Sequence, residues 1–501
     1  MQVVVLKGSK FFMLIHELIV QGKPEQIALI AGETRITYLT LQKNVEKYKN
    51  YFYYLGIQCG DNVGLLSRNS IEYIYAYMAL VRLGVVVVPI NFQLSPREIV
   101  YILKDAAMKY LITQERVDLT AQLEEQSYKM DVQQILLEDI KKQIELVCYE
   151  AAPDLPETFS WEETAMIIYT SGTTGKPKGA VLTHKNLVRN AQMFKDALTI
   201  GSADHVLCVL PMYHCFAWTC AVLNPLLAGA TITILGAFTP KETIQAIAKN
   251  RVSILYAVPS ICSLLTRLAG QNDLVSLRFV VSGGTTLPAK IAADFMTKFA
   301  VPILEGYGLS EASPVLSVNT PTKVRIGSIG MELPGVTIAI MDFNGVLLPD
   351  GEVGELTAQG DNVMQGYWHL PEATKQVLHG GWLHTGDIAY RDADGFIFIV
   401  DRLKDMIISM GENVYPREIE ELLYLYPGIR EAAVIGVADK LRGQVGSAFL
   451  VLEEGAAFDK HALKEYLQNK LALYKVPREF HVIAEMPKSQ TGKILKRLLV
   501  P

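Results

Sequence analysis

The chain has 501 residues, of which half are hydrophobic and a fifth are charged. That length predicts at least two domains, because a single hydrophobic core rarely extends beyond about 300 residues. The 47 basic and 52 acidic side chains leave a net charge of −5, without the basic excess typical of nucleic-acid-binding proteins, so the composition argues against a DNA or RNA partner.

The cysteines and the apolar stretches indicate in which cellular compartment the protein is expected. None of the six cysteines forms a Cys-x-x-Cys pair, and most lie in apolar runs, as Cys208 does. This pattern favours buried thiols in a reducing compartment over zinc ligands or disulfides, and we expect a cytoplasmic protein. The apolar region 219–237 contains Asn224, Pro225 and several glycines, so it predicts a buried helix and strand rather than a membrane span. Peripheral membrane contact stays open.

The first half of the chain alternates helical and strand patterns. Apolar residues recur at helical spacing up to Leu55, where Gly56 ends the pattern, and Ser70 is a suitable N-cap for a second helix. Strand, helix, strand at this spacing predicts an α/β fold with a parallel sheet and crossover helices. The predicted elements are a helix over 41–55, a strand over 62–67, a helix over 70–83, a strand over 85–90, a strand over 231–235, a helix over 241–249 and a strand over 254–258.

The pattern changes beyond about residue 400. The charged run 401–405 joins two predicted strands, 396–400 and 406–409. Pro416 predicts the first turn of a helix, and Leu463, Tyr466, Leu467 and Leu471 form one stripe of another. About one hundred residues with their own strands and helices predict a small second domain. The predicted domains are residues 1–402 and 403–501.

The strongest chemical signal follows the apolar strand 166–168. Small hydroxyl side chains and glycines let a backbone approach a polyphosphate closely, and lysines add positive charge. The segment is not a Walker A loop, because Pro177 follows Lys176. A polar hairpin turn without a ligand is the alternative interpretation. The predicted phosphate-binding residues are Thr170, Ser171, Gly172, Thr173, Thr174, Gly175 and Lys176.

This loop resembles the phosphate loop of the acyl-adenylate-forming superfamily of AMP-binding enzymes. The superfamily holds acyl-CoA synthetases, peptide-synthetase adenylation domains and firefly-type luciferases. Four further segments are similar to its motifs and occur in the same order along nearly the whole chain. They are Glu305–Glu311 (its Tyr-Gly-x-Thr-Glu motif), Trp382–Asp387 (its ribose-binding segment), Asp401–Asp405 (its inter-domain hinge) and Pro487–Lys493 (its catalytic-lysine motif).

The resemblance implies a fold and a nucleotide site. The implied fold is α/β, with a large N-terminal domain of parallel-sheet αβα layers, a small β-barrel-like subdomain and a small mobile α+β C-terminal domain. Tyr307 would stack on adenine, and Asp387, which we expect in a turn after a strand, would accept hydrogen bonds from the ribose. Ser310 stands where the family usually has threonine and keeps the hydroxyl for the α-phosphate. The further implied ATP-binding residues are Gly283, Gly284, Glu305, Gly306, Gly308 and Arg402.

The resemblance also implies the catalytic groups. We expect Lys493 to carry the first step, because an ammonium can bridge the attacking carboxylate and the α-phosphate. Glu311 offers the hard oxygen that Mg²⁺ prefers. For a second step with CoA, the small domain would rotate about Lys404 and withdraw Lys493, and Gly411 would let the pantetheine arm pass close to the backbone.

The segment 211–218 resembles the lining of the family's acyl pocket. His214 would orient the reacting carboxylate or thiol, and the residues around it are apolar, without the aspartate that grips an amino group in peptide-synthetase domains. We therefore expect Tyr213, Trp218 and Val222 to face an alkyl chain. Trp218 either closes the mouth of an acyl tunnel or is an ordinary buried tryptophan.

The predicted activity is ATP- and Mg²⁺-dependent activation of a medium- or long-chain fatty acid, followed by transfer to CoA. The alternatives within the family are an aryl-CoA ligase, an enzyme that loads a separate carrier protein, and a luciferase-like oxygenase. A dimer is left open.

Overall fold

The computed structural model of the chain describes residues 12–125, 132–170, 176–410, 412–488 and 493–501. The chain divides into two compact units. The first unit comprises Met1–Thr239, Ser310–Val315 and Gly360–Lys375, and the second comprises Pro240–Leu309, Leu316–Gln359 and Gln376–Pro501.

The elements are numbered in chain order. Up to residue 239 they are a 3₁₀ helix (Ile15–Val20), β1 (Ile27–Ala31), β2 (Thr34–Thr37), α1 (Tyr38–Tyr54), β3 (Asn62–Leu66), α2 (Ile71–Arg82), β4 (Val86–Pro89), α3 (Pro96–Asp105), β5 (Tyr110–Thr113), α4 (Thr120–Glu125), β6 (Gln133–Leu136), α5 (Leu137–Leu146), β7 (Thr164–Thr170), β8 (Lys178–Thr183), α6 (His184–Leu198), β9 (His205–Cys208), a π helix (Ala217–Leu223), α7 (Asn224–Ala228) and β10 (Thr231–Ile234).

The remaining elements follow in the same order. They are α8 (Pro240–Asn250), β11 (Ile254–Ala257), α9 (Pro259–Leu268), β12 (Phe279–Ser282), α10 (Ala289–Phe299), β13 (Ile303–Gly308), a 3₁₀ helix (Ser310–Ala312), β14 (Val315–Val318), β15 (Met331–Glu332), β16 (Val336–Met341), β17 (Gly354–Gly360), β18 (Gly366–Tyr367), α11 (Pro371–Val377), β19 (Leu378–His379), β20 (Trp382–Arg391), β21 (Ile397–Arg402), β22 (Ile407–Ser409), β23 (Glu412–Val414), α12 (Pro416–Leu425), β24 (Ile429–Asp439), β25 (Gly443–Leu452), α13 (Lys460–Gln468), β26 (Glu479–Val482) and a 3₁₀ helix (Lys496–Leu498).

Two sheets organise the first unit. One has the strand order β18-β8-β7-β4-β3-β5-β6, in which β6, β5, β3, β4 and β7 are parallel and β8 turns back antiparallel to β7. The other contains β9, β10 and β1 in parallel, with β2 antiparallel at its edge. Strand β4 is buried along its whole length, as expected for a central parallel strand covered by helices on both faces.

The predicted N-cap Ser70 and the predicted helix end before Gly56 are confirmed, whereas α1 begins at Tyr38, ahead of the predicted start at residue 41. Thr37 caps α1 by accepting a hydrogen bond from the Thr40 backbone N–H, and Ser70 caps α2 by accepting one from that of Tyr73 at 3.0 Å. Gly56 follows the end of α1 with φ +88°, a conformation that glycine adopts without a steric penalty.

The second unit also contains a parallel sheet. Strands β11, β12 and β13 are parallel, and β14 pairs antiparallel with β15. A second sheet joins β16, β17, β20 and β19, with β21 paired to β20. The C-terminal residues form their own sheet, ordered β23-β22-β25-β24 with β26 on β25. One of its core clusters contains Ile419, Leu423, Leu463 and Leu467 from α12 and α13.

The predicted α/β class, with parallel sheets and a separate C-terminal domain, is confirmed. Three local expectations were wrong. Asp387 lies within strand β20 rather than in a turn after a strand; α13 ends at Gln468, so Leu471 is buried beyond the helix; and two of the six free cysteines, Cys59 and Cys148, are exposed. The boundary at residues 402 and 403 stays a prediction. No helix in the described parts of the chain is long and apolar enough to cross a membrane.

Candidate functional site

The phosphate-loop segment lies between two paired strands of the first unit. Thr170 at the end of β7 is opposite Lys178 at the start of β8, and its Oγ1 lies 3.5 Å from the Lys178 carbonyl oxygen. Lys176 is exposed just before β8. The hairpin therefore holds both ends of the loop in place. The other predicted phosphate-binding residues, Ser171, Gly172, Thr173, Thr174 and Gly175, lie outside the described residues.

The carboxylate of Glu311 is held by a tyrosine. Glu311 is in the 3₁₀ helix Ser310–Ala312, and its backbone oxygen accepts a hydrogen bond from the Met364 N–H at 2.8 Å. The Tyr367 hydroxyl donates to Glu311 Oε1 at 2.7 Å, and the Lys178 ammonium lies 5.3 Å from the centre of the Tyr367 ring. Three separate segments of the chain thus bring a carboxylate, a phenol and an ammonium together.

Ser310 has a thiol as its neighbour. Its Oγ lies 3.3 Å from Sγ of Cys215, and burial raises the pKa of this thiol to about 12. Cys215 is therefore a neutral hydrogen-bonding partner at neutral pH. The Ser310 hydroxyl keeps the donor and acceptor capacity that a phosphate contact needs.

His214 lies three residues before the first residue of the π helix. Its Nδ1 accepts a hydrogen bond from the Phe216 N–H at 3.3 Å, and its carbonyl oxygen accepts one from the Trp218 N–H at 3.0 Å. The imidazole is half-buried. Short π-helical segments are frequent at functional sites, and this one contains Trp218 and Val222, two of the residues predicted to face the acyl chain.

The predicted acyl-pocket residues are mostly packed in the core of the first unit. The Trp218 side chain is 1% exposed, and its ring centre lies 4.1 Å from that of Tyr77. Tyr213 packs edge-to-face on Phe92 at 5.8 Å, and Val222 is fully buried. Trp218 has the environment of a buried core tryptophan.

Asp387 is the centre of a cluster in the second unit. It is 5% exposed and lies opposite Arg402 in the pairing of β20 with β21. The Arg402 Nε lies 3.1 Å from Oδ1, and the Tyr307 hydroxyl donates to Oδ2. Burial, followed by the charge of Asp387, raises the pKa of Tyr307, so the phenol stays protonated and donates.

Lys493 belongs to the same cluster. Burial, then the positive charges of Arg402 and Lys404, lowers its pKa to about 8, while the charge of Asp387 acts in the opposite direction. The lysine follows residues 489–492, which lie outside the described residues, and the next residue, Ile494, forms a backbone bridge with Lys488. A lysine with a lowered pKa beside a carboxylate and an arginine is typical of a functional site.

The segment of β20 before Asp387 is held by Glu355, which no sequence motif indicated. Glu355 on β17 accepts a hydrogen bond from the Gly386 N–H at 3.0 Å through Oε1, and its Oε2 lies 2.9 Å from His384 Nδ1. Gly386 has φ +70°, which bends the strand at this point. No local sequence pattern links Glu355 to Asp387, because the two residues lie on different strands.

The Glu305 side chain bonds to the backbone of a neighbouring segment. It is 5% exposed, its Oε1 accepts a hydrogen bond from the Leu287 N–H at 3.0 Å, and burial raises its pKa to about 7. The structure therefore uses this carboxyl group to join strand β13 to the segment before α10.

Among the glycines near the nucleotide motifs, Gly306 lies close to a neighbouring backbone. A Cβ on Gly306 would lie 3.2 Å from the Ser317 carbonyl oxygen, while Gly308 ends β13. After β12, Gly283 donates its N–H to the Ala257 carbonyl at 3.2 Å, and Gly284 has φ +81°.

The predicted hinge is a turn between β21 and β22. Lys404 is exposed there, and the Arg402 carbonyl oxygen accepts hydrogen bonds from the N–H groups of Asp405 and Met406 at 3.0 and 3.1 Å. Asp401 Oδ2 accepts one from the Arg417 N–H in the first turn of α12 at 2.9 Å. Gly411 lies outside the described residues.

The donor set suits magnesium bound together with a nucleotide. No group of three or more histidine, cysteine, aspartate or glutamate side chains that could hold a metal occurs within the described ranges. Mg²⁺ does not need such a cage, since it commonly binds through one or two carboxylates and substrate phosphates. Glu311, whose carboxylate is oriented by Tyr367, fits that requirement.

Two family models match this chain. Residues 17–368 match the family model of the AMP-binding enzymes, and residues 418–493 match that of the AMP-binding enzyme C-terminal domain. A feruloyl-CoA synthase of Amycolatopsis sp is 36% identical over 479 residues, covering 94% of this chain and 95% of the relative. A long-chain-fatty-acid–CoA ligase of Bacillus subtilis is 33% identical, covering 95% and 92%. The structure of o-succinylbenzoate coenzyme A synthetase from Bacillus subtilis with ATP and magnesium ion superposes with a TM-score of 0.86 at 30% identity, covering 97% and 98%.

Proposed function

The chain belongs to the AMP-binding enzyme family, and from this membership we propose that it activates a medium- or long-chain fatty acid and transfers the acyl group to CoA. It is an acyl-CoA ligase that works through an acyl-adenylate, and it uses ATP, Mg²⁺ and CoA. The identity of the acid is the part that we propose.

The observation that carries the fatty-acid assignment is the apolar character of the segment after His214. The π helix Ala217–Leu223 is entirely buried. Its Thr219 hydroxyl donates to the Ser313 carbonyl at 2.9 Å, and the Asn224 amide that follows donates to the Ala191 carbonyl at 3.0 Å. Because these two side chains already donate to backbone carbonyls, those donor groups are not available to a polar substrate. The segment therefore favours an alkyl chain.

In the first step the acid's carboxylate attacks the α-phosphorus of ATP. The new bond joins a carboxylate oxygen to phosphorus, the bond to the bridging oxygen breaks, and pyrophosphate leaves. Lys493, as an ammonium, would offset the charge that develops on the α-phosphate oxygens. Asp387, held by Tyr307 and Arg402, would accept hydrogen bonds from the ribose and fix the nucleotide.

Magnesium, when bound, would neutralise phosphate charge, and Glu311 would be its protein ligand. The Ser310 hydroxyl, beside Cys215, would donate to the α-phosphate. These roles need no protein nucleophile.

In the second step the CoA thiol attacks the acyl carbon of the mixed anhydride and AMP leaves with the anhydride oxygen. We propose that residues 403–501 rotate about the turn at Lys404 between the steps, so that Lys493 serves the first step only. His214 would orient the carboxylate or the thiol.

A second candidate substrate is an aryl acid such as a hydroxycinnamate. It is favoured by the likeness to the feruloyl-CoA synthase of Amycolatopsis sp, which is 36% identical over 94% of this chain. A hydroxylated ring needs a polar partner deep in its pocket, because a buried phenol without a hydrogen bond costs binding free energy.

The test measures pyrophosphate release from ATP and Mg²⁺ with a panel of acids, with and without CoA. The panel runs from acetate through octanoate and palmitate to benzoate and coumarate. We expect turnover that requires CoA and rises with alkyl length. Faster turnover on coumarate than on the fatty acids would show that the substrate is an aryl acid instead. Pyrophosphate release that CoA does not sustain would instead indicate a separate carrier protein as acceptor.

A further inference from the structure

Tyr367 is the side chain that holds Glu311 in place. Its hydroxyl lies 2.7 Å from Glu311 Oε1, and its backbone N–H donates to Thr374 Oγ1 at 2.8 Å. Strand β18, which carries it, pairs with β8, so that Tyr367 lies opposite Ala180. The phenol is therefore anchored from its own backbone and from the strand that follows the phosphate-loop segment.

The direction of the hydrogen bond follows from the two groups that form it. A carboxylate has no proton to donate, so the phenol donates its O–H and the carboxylate accepts. The bond uses one of the two carboxylate oxygens, and a hydrogen bond to an ionised acceptor is stronger and more directional than one between neutral groups.

The ring and the hydroxyl of Tyr367 have separate partners. The Lys178 ammonium lies 5.3 Å from the ring centre, within the range of a cation–π contact. A phenylalanine would keep the ring and this contact, and would lose only the bond to Glu311. The two roles can therefore be separated by one substitution.

We propose that Tyr367 is a positioning residue for Glu311, and that its hydroxyl fixes the rotation of the carboxylate and leaves the second oxygen available to bind magnesium. This inference rests on the proposed function, in which Glu311 binds magnesium together with ATP. Partners that orient a metal ligand through a hydrogen bond typically change metal affinity or activity by about 10- to 100-fold when they are removed.

The experiment compares Tyr367→Phe, Glu311→Gln and the double variant with the unmodified protein. Mn²⁺ replaces Mg²⁺, and its affinity is measured by electron paramagnetic resonance in the presence of an α,β-methylene analogue of ATP. Tyr110→Phe is the matched control, because it removes a hydroxyl that lies 3.4 Å from the Leu55 carbonyl in the same unit.

We expect Tyr367→Phe to weaken Mn²⁺ binding about tenfold and the control to leave it unchanged. Because the hydroxyl acts through Glu311, the double variant should bind Mn²⁺ no more weakly than Glu311→Gln alone. The melting temperature of Tyr367→Phe and its KM for ATP at saturating metal should match those of the unmodified protein.

Two results would overturn the inference while the proposed function stands. One is Mn²⁺ affinity in Tyr367→Phe equal to that of the unmodified protein, and the other is a further loss in the double variant beyond that of Glu311→Gln. Unchanged affinity in Glu311→Gln would remove both the ligand assignment and the inference, although acid-dependent pyrophosphate release would persist. Failure of the unmodified protein to release pyrophosphate with any acid would refute the proposed function itself.

Discussion

Lys493 keeps a positive charge in surroundings that oppose it. Burial and the cations Arg402 and Lys404 act against the ammonium, and Asp387 supports it. A lysine whose charge served only solubility would lie in water with an ordinary pKa. The arrangement is better explained by a need for a cation beside the carboxylate that we assign to the ribose.

Replacing Lys493 by alanine should separate the two half-reactions. We expect adenylate formation to fall by about 10²–10³, the usual loss when one charge-stabilising group is removed. Thioester formation from preformed acyl-adenylate should be unaffected. Pyrophosphate release and a thioester assay on synthetic acyl-adenylate measure the two steps, with Lys488→Ala as the control, since that lysine pairs with Glu431 at 2.6 Å. An equal loss in both steps would contradict the domain rotation.

The pH dependence of the first step follows from the same lysine. Its pKa is lowered to about 8, so the fraction of ammonium falls as the pH rises through 8. We expect the rate of adenylate formation to decline above about pH 8, whereas an unshifted lysine would hold it constant to about pH 10. Lys493→Arg, if it supports any activity, should move this decline to higher pH, because guanidinium stays protonated. The measurement is a pH profile of pyrophosphate release at saturating ATP.

At the level of single residues, the sequence predicted the motif residues but not the residues that hold them in position. Glu311 and Asp387 could be identified because each lies in a recognisable motif. Tyr367 and Glu355 could not, since each acts on a residue 56 or 31 positions away in the chain. The wrong placement of Asp387 has a related cause: glycine before it predicts a turn, but the pairing with Arg402 continues the strand through this position.

Among the elements, strand β20 depends on a carboxylate that bridges two of its residues. Glu355 bonds to Gly386 and His384, and the Thr385 hydroxyl donates to the Leu356 carbonyl at 2.7 Å. Glu355 and Leu356, which are adjacent on β17, thus hold the three residues that precede Asp387. The position of Asp387, and with it the proposed contact to the ribose, depends on this segment.

Glu355→Gln should therefore weaken nucleotide binding without removing any predicted ligand. We expect the KM for ATP to rise about tenfold, the size for losing a hydrogen bond to a charged group, with a smaller change in kcat. Glu332→Gln is the control, because Glu332 pairs with Arg391 at the other end of β20. Equal KM values in the two variants would show that Glu355 serves only the stability of the sheet.

Element boundaries were predicted well where capping residues mark them. Ser70 and Pro416 each begin a helix as expected, because their side chains satisfy or remove backbone donors that the first turn leaves unpaired. The end of α13 was predicted too late. Leu471 continues the apolar stripe but reaches the core from the turn after the helix, so periodicity alone could not separate the two cases.

For the whole molecule, the sequence predicted the class of fold and left the strand order open. Helix and strand spacing predicted parallel sheets, and both units contain them. In the order β4-β3-β5-β6, β5 pairs with β3 rather than with β4, which precedes it, and β18 returns to β8, which is far from it in the chain. These pairings depend on which apolar faces are complementary, and local patterns carry no such information.

The first unit also contains two histidines that burial keeps neutral. His184, which begins α6, is fully buried, and its Nδ1 accepts a hydrogen bond from the Ile15 N–H at 3.2 Å. Burial, and then His16, lowers its pKa to about 3. Burial, and then Arg82 and Lys49, lowers the pKa of His16 to about 4. Both histidines titrate near pH 6.5 in the unfolded chain.

Acid should therefore destabilise this unit before most carboxylates titrate. Below about pH 6.5 the unfolded chain binds protons that the folded chain does not, so each histidine lowers the free energy of unfolding by up to about 1.4 kcal/mol per pH unit, down to its folded pKa. We expect the melting temperature to fall between about pH 7 and pH 5, and to fall less in His184→Gln, which keeps a neutral acceptor for the Ile15 N–H. Calorimetry at several pH values measures the slope, and His461→Gln, on the exposed side of α13, controls for loss of an ordinary histidine. If His184→Gln and His461→Gln gave the same pH slope, the neutral pair would not be the source of the acid sensitivity.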